Sequence, residues 1–471
     1  MLRRFPASSK THRKRGEAFA GAIDGGKLCV GHGNSGFSGQ ARRPTRPADA
    51  PSWPPRPAKN PGFSRNRPND ADVASTILHP DAVFDGEQLH AGWRVLVDGD
   101  RISAAGPDVV APADARTLHL TGATLLPGLI DLHTHLLLHP YAERSWADQV
   151  LRDPESLRVA RAVVAAQRTL AAGFTTVRDL GTEGAGEADV GLRRAIEEGV
   201  IAGPRLVCVT RAIVACGTYG PTGFHSGCCV PQGAEEVDGP ESILRVTRMQ
   251  IARGADWIKV YADYRFGPAG DARPTFSTDE LALIVRVATD ANVPVAAHAT
   301  TAEGMHRAAL AGVATIEHGN DGTRAVFDLM AERGVAYVPT LAAYEALESI
   351  RGWGKDHPNI VAKRKAFDAA RASGVTIANG SDIGVFPHGQ NARELELLVE
   401  HGLTTTEALQ AATSTAARVL RLDDLGTIRA GARADLVAVA GDPMTTISAL
   451  RDVRLVVREG VEMPSAANAT L

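Results

Sequence analysis

Between residues 127 and 420 the chain alternates short apolar runs with longer runs of helical period, and this alternation constrains the fold more than any other feature. LIDLHTH (129–135), FTTVRDLG (174–181), RLVCVT (205–210), WIKVYA (257–262), VPVAAHA (293–299), ATIEHGN (314–320), VAYVPT (335–340) and VTIANGSD (375–382) read as strands: each is short, largely apolar and bounded by turn-forming residues. Between them lie segments such as SLRVARAVVAAQRTLAAG, VGLRRAIEEG, ESILRVTRMQIARG, TDELALIVRVATDAN and GTRAVFDLMAERG, in which apolar residues recur at helical spacing. Eight β/α units over roughly 290 residues predict an α/β chain folded as a (β/α)8 TIM barrel, whose chemistry gathers at the C-terminal ends of the strands.

The flanks have a different texture. TILHPDAVFDG, WRVLVDGDRISAAG and TLHLTGATLLPG alternate apolar and polar residues, and GTIRAGARADLVAVAGDP and VRLVVREGVEM repeat the pattern after the helical region. Two such sets predict a small β-sandwich domain built from both chain ends, residues 72–126 and 421–465, around the barrel at 127–420. Residues 1–71 form a basic, Pro/Gly-rich extension with nine prolines in its first 70 residues, expected to be disordered. No apolar segment follows its early arginines, which speaks against a secretory signal.

The net charge of −3 hides an asymmetry: residues 1–70 hold 14 Lys+Arg against 4 Asp+Glu, and the remainder 37 against 50. The body is therefore acidic, and no nucleic acid is expected for the folded part, although the basic extension is compatible with it. No uncharged run approaches the length of a membrane span. Five cysteines without CxxC spacing fit a reduced, cytoplasmic setting.

Chemistry-bearing side chains fall near the C-terminal ends of the predicted strands. His133 and His135 close the first strand, and the two-residue period of a strand turns both imidazoles to one face, as a metal ion requires. Lys259 lies in the fourth strand, His298 ends the fifth, His318 the sixth, and Asp382 the eighth. Any one of them has ordinary structural explanations; six such placements together point to a metal-dependent site.

These positions, with TVRDLG, IKVY, AAHATTAEG, TIEHG, VPTLAAYEAL, GSDIGVFPHG and the late AGARADLVAV run, resemble the metal-dependent amidohydrolase superfamily. Locally they are similar to the branch holding imidazolonepropionase-like enzymes, Xaa-Pro dipeptidases and ochratoxin-hydrolysing amidases. The resemblance implies two divalent ions, with Zn2+ the leading expectation: His133, His135 and Asp382 on one, His298 and His318 on the other, and Lys259 bridging both as its N-carboxylated form. It further implies attack of metal-bound hydroxide on an amide, with Asp382 as base and then acid. The expected substrate is a small-molecule amide, namely an N-acyl amino acid, a dipeptide or an ochratoxin-type amide, and a homo-oligomer is expected. Cyclic-amide hydrolysis is the alternative. Mononuclear deamination ranks lower because Thr301 stands where such enzymes place a catalytic glutamate, and a non-catalytic scaffold because all six positions are filled.

Candidate substrate residues are Tyr261, two positions after Lys259 on the same strand face, Tyr219 and His225 in the loop after the third strand, Tyr344 after the seventh strand, and His388 beyond Asp382. Dipeptidase-like relatives often carry a histidine where this chain has Tyr219, and a tyrosine where it has Thr300. Both departures weaken a strict Xaa-Pro dipeptidase reading. The connection after the seventh strand, with Tyr344, Arg351, Trp353 and His357, reads as a long loop able to act as a lid.

Overall fold

Strands from both flanks of the helical region share one sheet in the computed structural model, which describes residues 75–225 and 227–464. The expected extension, residues 1–71, lies outside the described residues. The sheet has eight strands, running from Val461–Met463 through Val453–Arg458, Leu436–Ala440, Arg116–Pro127, Thr76–Phe84 and Arg94–Asp98 to Arg101–Gly106; Leu89–Ala91 pairs with Thr76–Phe84. A sandwich was expected, yet hydrogen bonds join all eight strands. The reason is the 12-residue strand Arg116–Pro127: residues 116–125 pair in parallel with Thr76–Phe84, while residues 123–127 pair antiparallel with Leu436–Ala440. Leu78, Val83, Val95, Ile102, Leu125, Leu436 and Val457 pack beside it in one apolar cluster. Each such burial contributes roughly 1.5–3 kcal/mol.

The central segments form two parallel sheets, and Asp263–Arg265 and Ala272–Pro274 add a separate antiparallel pair. Leu129–Thr134, Phe174–Asp179 and Arg205–Cys208 form one sheet. Glu235–Val237, Ile213–Ala215, Ile258–Tyr261, Val295–Ala299, Thr315–His318 and Ala336–Val338 form another. Backbone contacts link the two sheets on both sides. On one side the amides of Asp256 and Trp257 donate to the carbonyl of Cys208 at 2.7 and 3.2 Å. On the other, residues 377–383 bridge Tyr337 to Ile377 and Thr134 to Ile383. The strand Leu129–Thr134 is buried along its whole length, as a strand covered on both faces must be.

Helices follow the predicted runs. In Thr278–Asp290 the Ser277 hydroxyl accepts from the Glu280 amide and Glu280 returns a bond to the Ser277 amide, a reciprocal cap worth about 1 kcal/mol. Leu281, Ile284, Val287 and Ala288 form its buried stripe. The segment after Ala336–Val338 differs from expectation: it is helical over Leu341–Arg351 and Pro358–Ser373 rather than a long loop. LAAYEALESIR is rich in helix formers, Gly352 stops the first helix in the left-handed conformation, and Pro358 opens the second. Among the described residues no helix is long and apolar enough to cross a membrane.

Candidate metal centre

The strand Leu129–Thr134 delivers His133 and His135 to the same place, their ring centroids 5.4 Å apart. Residues 379–383 run alongside: the Leu132 amide donates to the Asn379 carbonyl at 3.0 Å, and the Asp382 amide to the His133 carbonyl at 2.7 Å. Asp131 reinforces this junction from beneath. Its carboxylate accepts the amides of His133 and Ser381, each at 3.0 Å, and the side chain of Asn391 at 2.8 Å. Asp382 is thereby set so that Oδ1 lies 3.3 Å from His135 Nε2 and 3.6 Å from His133 Nε2.

The outer ring nitrogens are already committed. His135 Nδ1 donates to the Gly181 carbonyl at 2.9 Å, which can only accept. His133 Nδ1 lies 2.9 Å from Glu317 Oε2, and the other oxygen of Glu317 takes Arg178 NH2 at 2.9 Å. With Nδ1 donating, each ring in its neutral form would turn a lone pair at Nε2 toward Asp382. Three acceptors would then converge, an arrangement that calls for positive charge among them, whether a metal ion or a proton on a ring.

His318 enters from the next side, its ring centroid 5.0 Å from that of His133, and its Nδ1 lies 2.9 Å from the Thr340 hydroxyl. His133, His318 and Asp382 each offer a ligand atom within 4.8 Å of the others, a spacing able to hold a metal ion. His298 follows at 4.5 Å from His318, and Tyr261 stacks on it at 4.3 Å. The amides of Thr300 and Thr301, just beyond His298, are tied to the buried carboxylate of Asp263 at 2.7–3.0 Å. Thr301, the position weighed for deamination, spends its hydroxyl on Asp263 and on capping the helix Ala302–Ala311. His318 and Asp382 take positive φ values of 72° and 59°, a conformation costly for such residues and found where a site over-determines the backbone.

Lys259 is fully buried, and its Nζ has no hydrogen-bond partner among the described residues. Burial pushes its ammonium down to about 8 against the pull of Glu317 and Asp382. Burial likewise drives His133, His298 and His318 well below the usual imidazole range, and the charge of Lys259 adds to this in each. Against the burial effect, the hydrogen bond and charge of Asp382 lift His135 to about 9. Burial opposes the charged form of Asp382 too, yet His133, His135 and Lys259 hold it below its usual value.

The expected substrate residues fare unevenly. Tyr261 faces the site through its stack on His298. Tyr219 is buried, and its hydroxyl donates to Glu183 Oε2 at 2.5 Å. His225 is exposed and accepts the Gly227 amide, so nothing ties it to the cluster. Tyr344 lies over the ammonium of Lys363 at 5.6 Å, and that lysine donates to the carbonyls of His318 and Pro339. His388 donates from Nε2 to the Leu138 carbonyl at 2.9 Å and lines a cavity of about 320 Å3 with His139, Arg161 and Arg168. Glu317, Arg178, Asp131 and Glu183 received no role from sequence reasoning. A signal was present: the first three are charged residues inside segments that read as buried barrel strands, where burial demands partners.

Residues 124–463 match the amidohydrolase family. The chain is 30% identical over 415 residues to an ochratoxinase of Aspergillus niger, covering 81% of this chain and 84% of that protein. An imidazolonepropionase of Salinispora arenicola is 26% identical over 358 residues, 73% of this chain and 84% of its own. Among solved structures, a Xaa-Pro dipeptidase with bound methionine in its active site superposes with a TM-score of 0.73 at 32% identity, covering 83% of this chain and 99% of that one. The chain belongs to the amidohydrolase family and is a hydrolase of carbon–nitrogen bonds.

Proposed function

We propose that the protein is a binuclear metal-dependent hydrolase cleaving an amide bond of a small substrate, namely an N-acyl amino acid, a dipeptide or an ochratoxin-type amide. The observation that carries this reading is the convergence of His133 Nε2, His135 Nε2 and Asp382 Oδ1 beside a buried lysine amine that has no hydrogen-bond partner among the described residues. The donor set fits two divalent cations, zinc foremost, since imidazoles and carboxylates suit it. His133, His135 and Asp382 would hold one and His298 and His318 the other, with Lys259 shared between them as a carbamate. A buried amine of lowered pKa is the form that reacts with carbon dioxide. When bound, such ions lower the pKa of water and polarise a carbonyl.

The chain's own residues then have defined tasks. Asp382 Oδ2, facing His318 at 4.0 Å, accepts the proton of the attacking water and passes it to the leaving amine. Glu317 and the Gly181 carbonyl fix which nitrogen of His133 and His135 faces inward. Tyr261, stacked on His298, presents an aromatic edge to the substrate. The parallel pairings and the backbone links on both sides of the two central sheets support a (β/α)8 barrel over residues 127–420, with residues 72–126 and 421–465 as the accessory β unit.

Purified protein should hold about two divalent ions per chain, a stoichiometry set by the binuclear reading. A screen of N-acyl amino acids, Xaa-Pro and other dipeptides, ochratoxin-type amides, lactams and an ester control tests the substrate class. Turnover confined to lactams would replace the linear-amide reading with the cyclic one.

A further inference from the structure

Glu183 sits in the loop beyond the strand Phe174–Asp179, buried to 2% exposure, with a positive φ of 52°. Its Oε2 accepts two hydrogen bonds, from Trp146 Nε1 at 2.7 Å and from the Tyr219 hydroxyl at 2.5 Å. Its Oε1 has no hydrogen-bond partner among the described residues. His135 Nδ1 is 4.0 Å away, but that nitrogen already donates to Gly181. Arg158 spends its guanidinium on the carbonyls of Leu137, Thr182 and Glu183 rather than on the carboxylate.

Aromatic rings surround this group. Tyr219 meets Trp146, Tyr261 and Tyr264 at centroid distances of 4.8–4.9 Å, and Tyr261 in turn stacks on His298. The negative charge of Glu183 is felt by Tyr141, Tyr219, Tyr261 and Tyr264, in each of which it reinforces the effect of burial in raising the phenol. Trp146 and Tyr264 are only partly buried. A buried carboxylate oxygen without a donor, beside a cluster of aromatic rings of which Trp146 and Tyr264 are partly exposed, is an environment that favours an organic cation: the oxygen supplies a counter-charge and the neighbouring rings their negative faces.

Resting on the amide-hydrolase reading, we propose that Glu183 is a specificity-determining residue which, with Trp146, Tyr219 and Tyr264, receives a protonated amine on the acyl side of the substrate. The preferred substrates are then dipeptides with a free amino terminus rather than their N-acyl counterparts. Tyr219, whose hydroxyl serves Glu183, acts as a wall of this subsite and not as a donor to the substrate carboxylate.

The test uses isosteric pairs, glycyl- and propionyl-amino acids with Phe, Pro, Met, Leu or Arg as the leaving group, in which an ammonium replaces a methyl. Wild-type protein should show kcat/KM about tenfold or more in favour of the glycyl member. That advantage should fade as pH rises through about 8, where the α-amine loses its proton, and the propionyl rates should not share this loss. In Glu183→Gln, which keeps an acceptor for Trp146 and Tyr219, the ratio should fall about tenfold, chiefly through KM. A wild-type ratio near one, or an unchanged ratio in the variant, overturns the proposal; the wild-type ratio and its pH dependence decide the matter even if the variant does not fold. Hydrolysis of neither series by metal-loaded wild type would overturn the amide-hydrolase reading, and the subsite with it.

Discussion

His133 Nδ1 and Glu317 Oε2 stand 2.9 Å apart with both side chains sealed from solvent, and Arg178 completes the chain through the second oxygen of Glu317. This pairing decides which nitrogen of His133 faces the site. Glu317→Gln should weaken metal binding about 10–100-fold, read by competition with a chelator. Glu317→Ala should in addition leave Arg178 buried without its partner and cost about 3–5 kcal/mol in urea unfolding. Unchanged metal affinity in both variants would remove Glu317 from the site.

Lys259 differs from His133, His135 and His318, whose rings are hydrogen-bonded, in that its Nζ has no hydrogen-bond partner among the described residues. Lys259→Ala should lose most of the bound metal, measured by elemental analysis, together with activity. Full metal content and full turnover in this variant would sink the carbamate-bridged centre.

Asp382 has a φ of 59°, a region that asparagine tolerates better than most residues. Asp382→Asn should therefore fold, with a melting temperature near that of the parent, while kcat falls about 10²–10⁴-fold through loss of the proton carrier. A kcat within a factor of ten of the parent would assign the proton transfer to another group.

Burial pushes His388 down to about 4, from an ordinary value of 6.5. Between these values the unfolded chain binds more protons at this position than the folded one, so stability falls as pH drops from 6.5 toward 4. The loss should reach about 2 kcal/mol between pH 7.5 and 5. Urea midpoints of wild type and His388→Gln at the two pH values check this. The wild type should show the steeper decline, and equal declines would refute the assignment.

Gly380 lies where residues 379–383 run against His133 and Val338. An added Cβ would stand 2.3 Å from Val338 Cγ1, 3.0 Å from His133 Cβ and 3.1 Å from the His133 amide nitrogen. Gly380→Ala should destabilise by about 1–3 kcal/mol and loosen metal binding as the two segments part. Calorimetry with and without metal separates the two effects.

The sequence by itself determined the family and the class of reaction, because residue type and order carry them: alternating strand and helical runs, and histidines, a lysine and an aspartate near strand ends. It also nominated six candidate ligands, since strand periodicity and the rule for strand C-termini are local. Tertiary structure decided what lies between those points. Glu317 and Arg178 are 139 residues apart, and Asp131 and Ser381 are 250 apart, so no local pattern announces their pairing. Tyr219 read as a substrate residue until the fold placed the Glu183 carboxylate against its hydroxyl, and His225, six residues away in sequence, was left in solvent. The helices Leu341–Arg351 and Pro358–Ser373 replaced the long loop expected after the seventh strand, bringing Lys363 under Tyr344 and onto the carbonyl of His318. Periodicity within a segment fixes which faces are apolar, whereas the partner of a buried polar atom is settled when distant segments close around it and water is expelled.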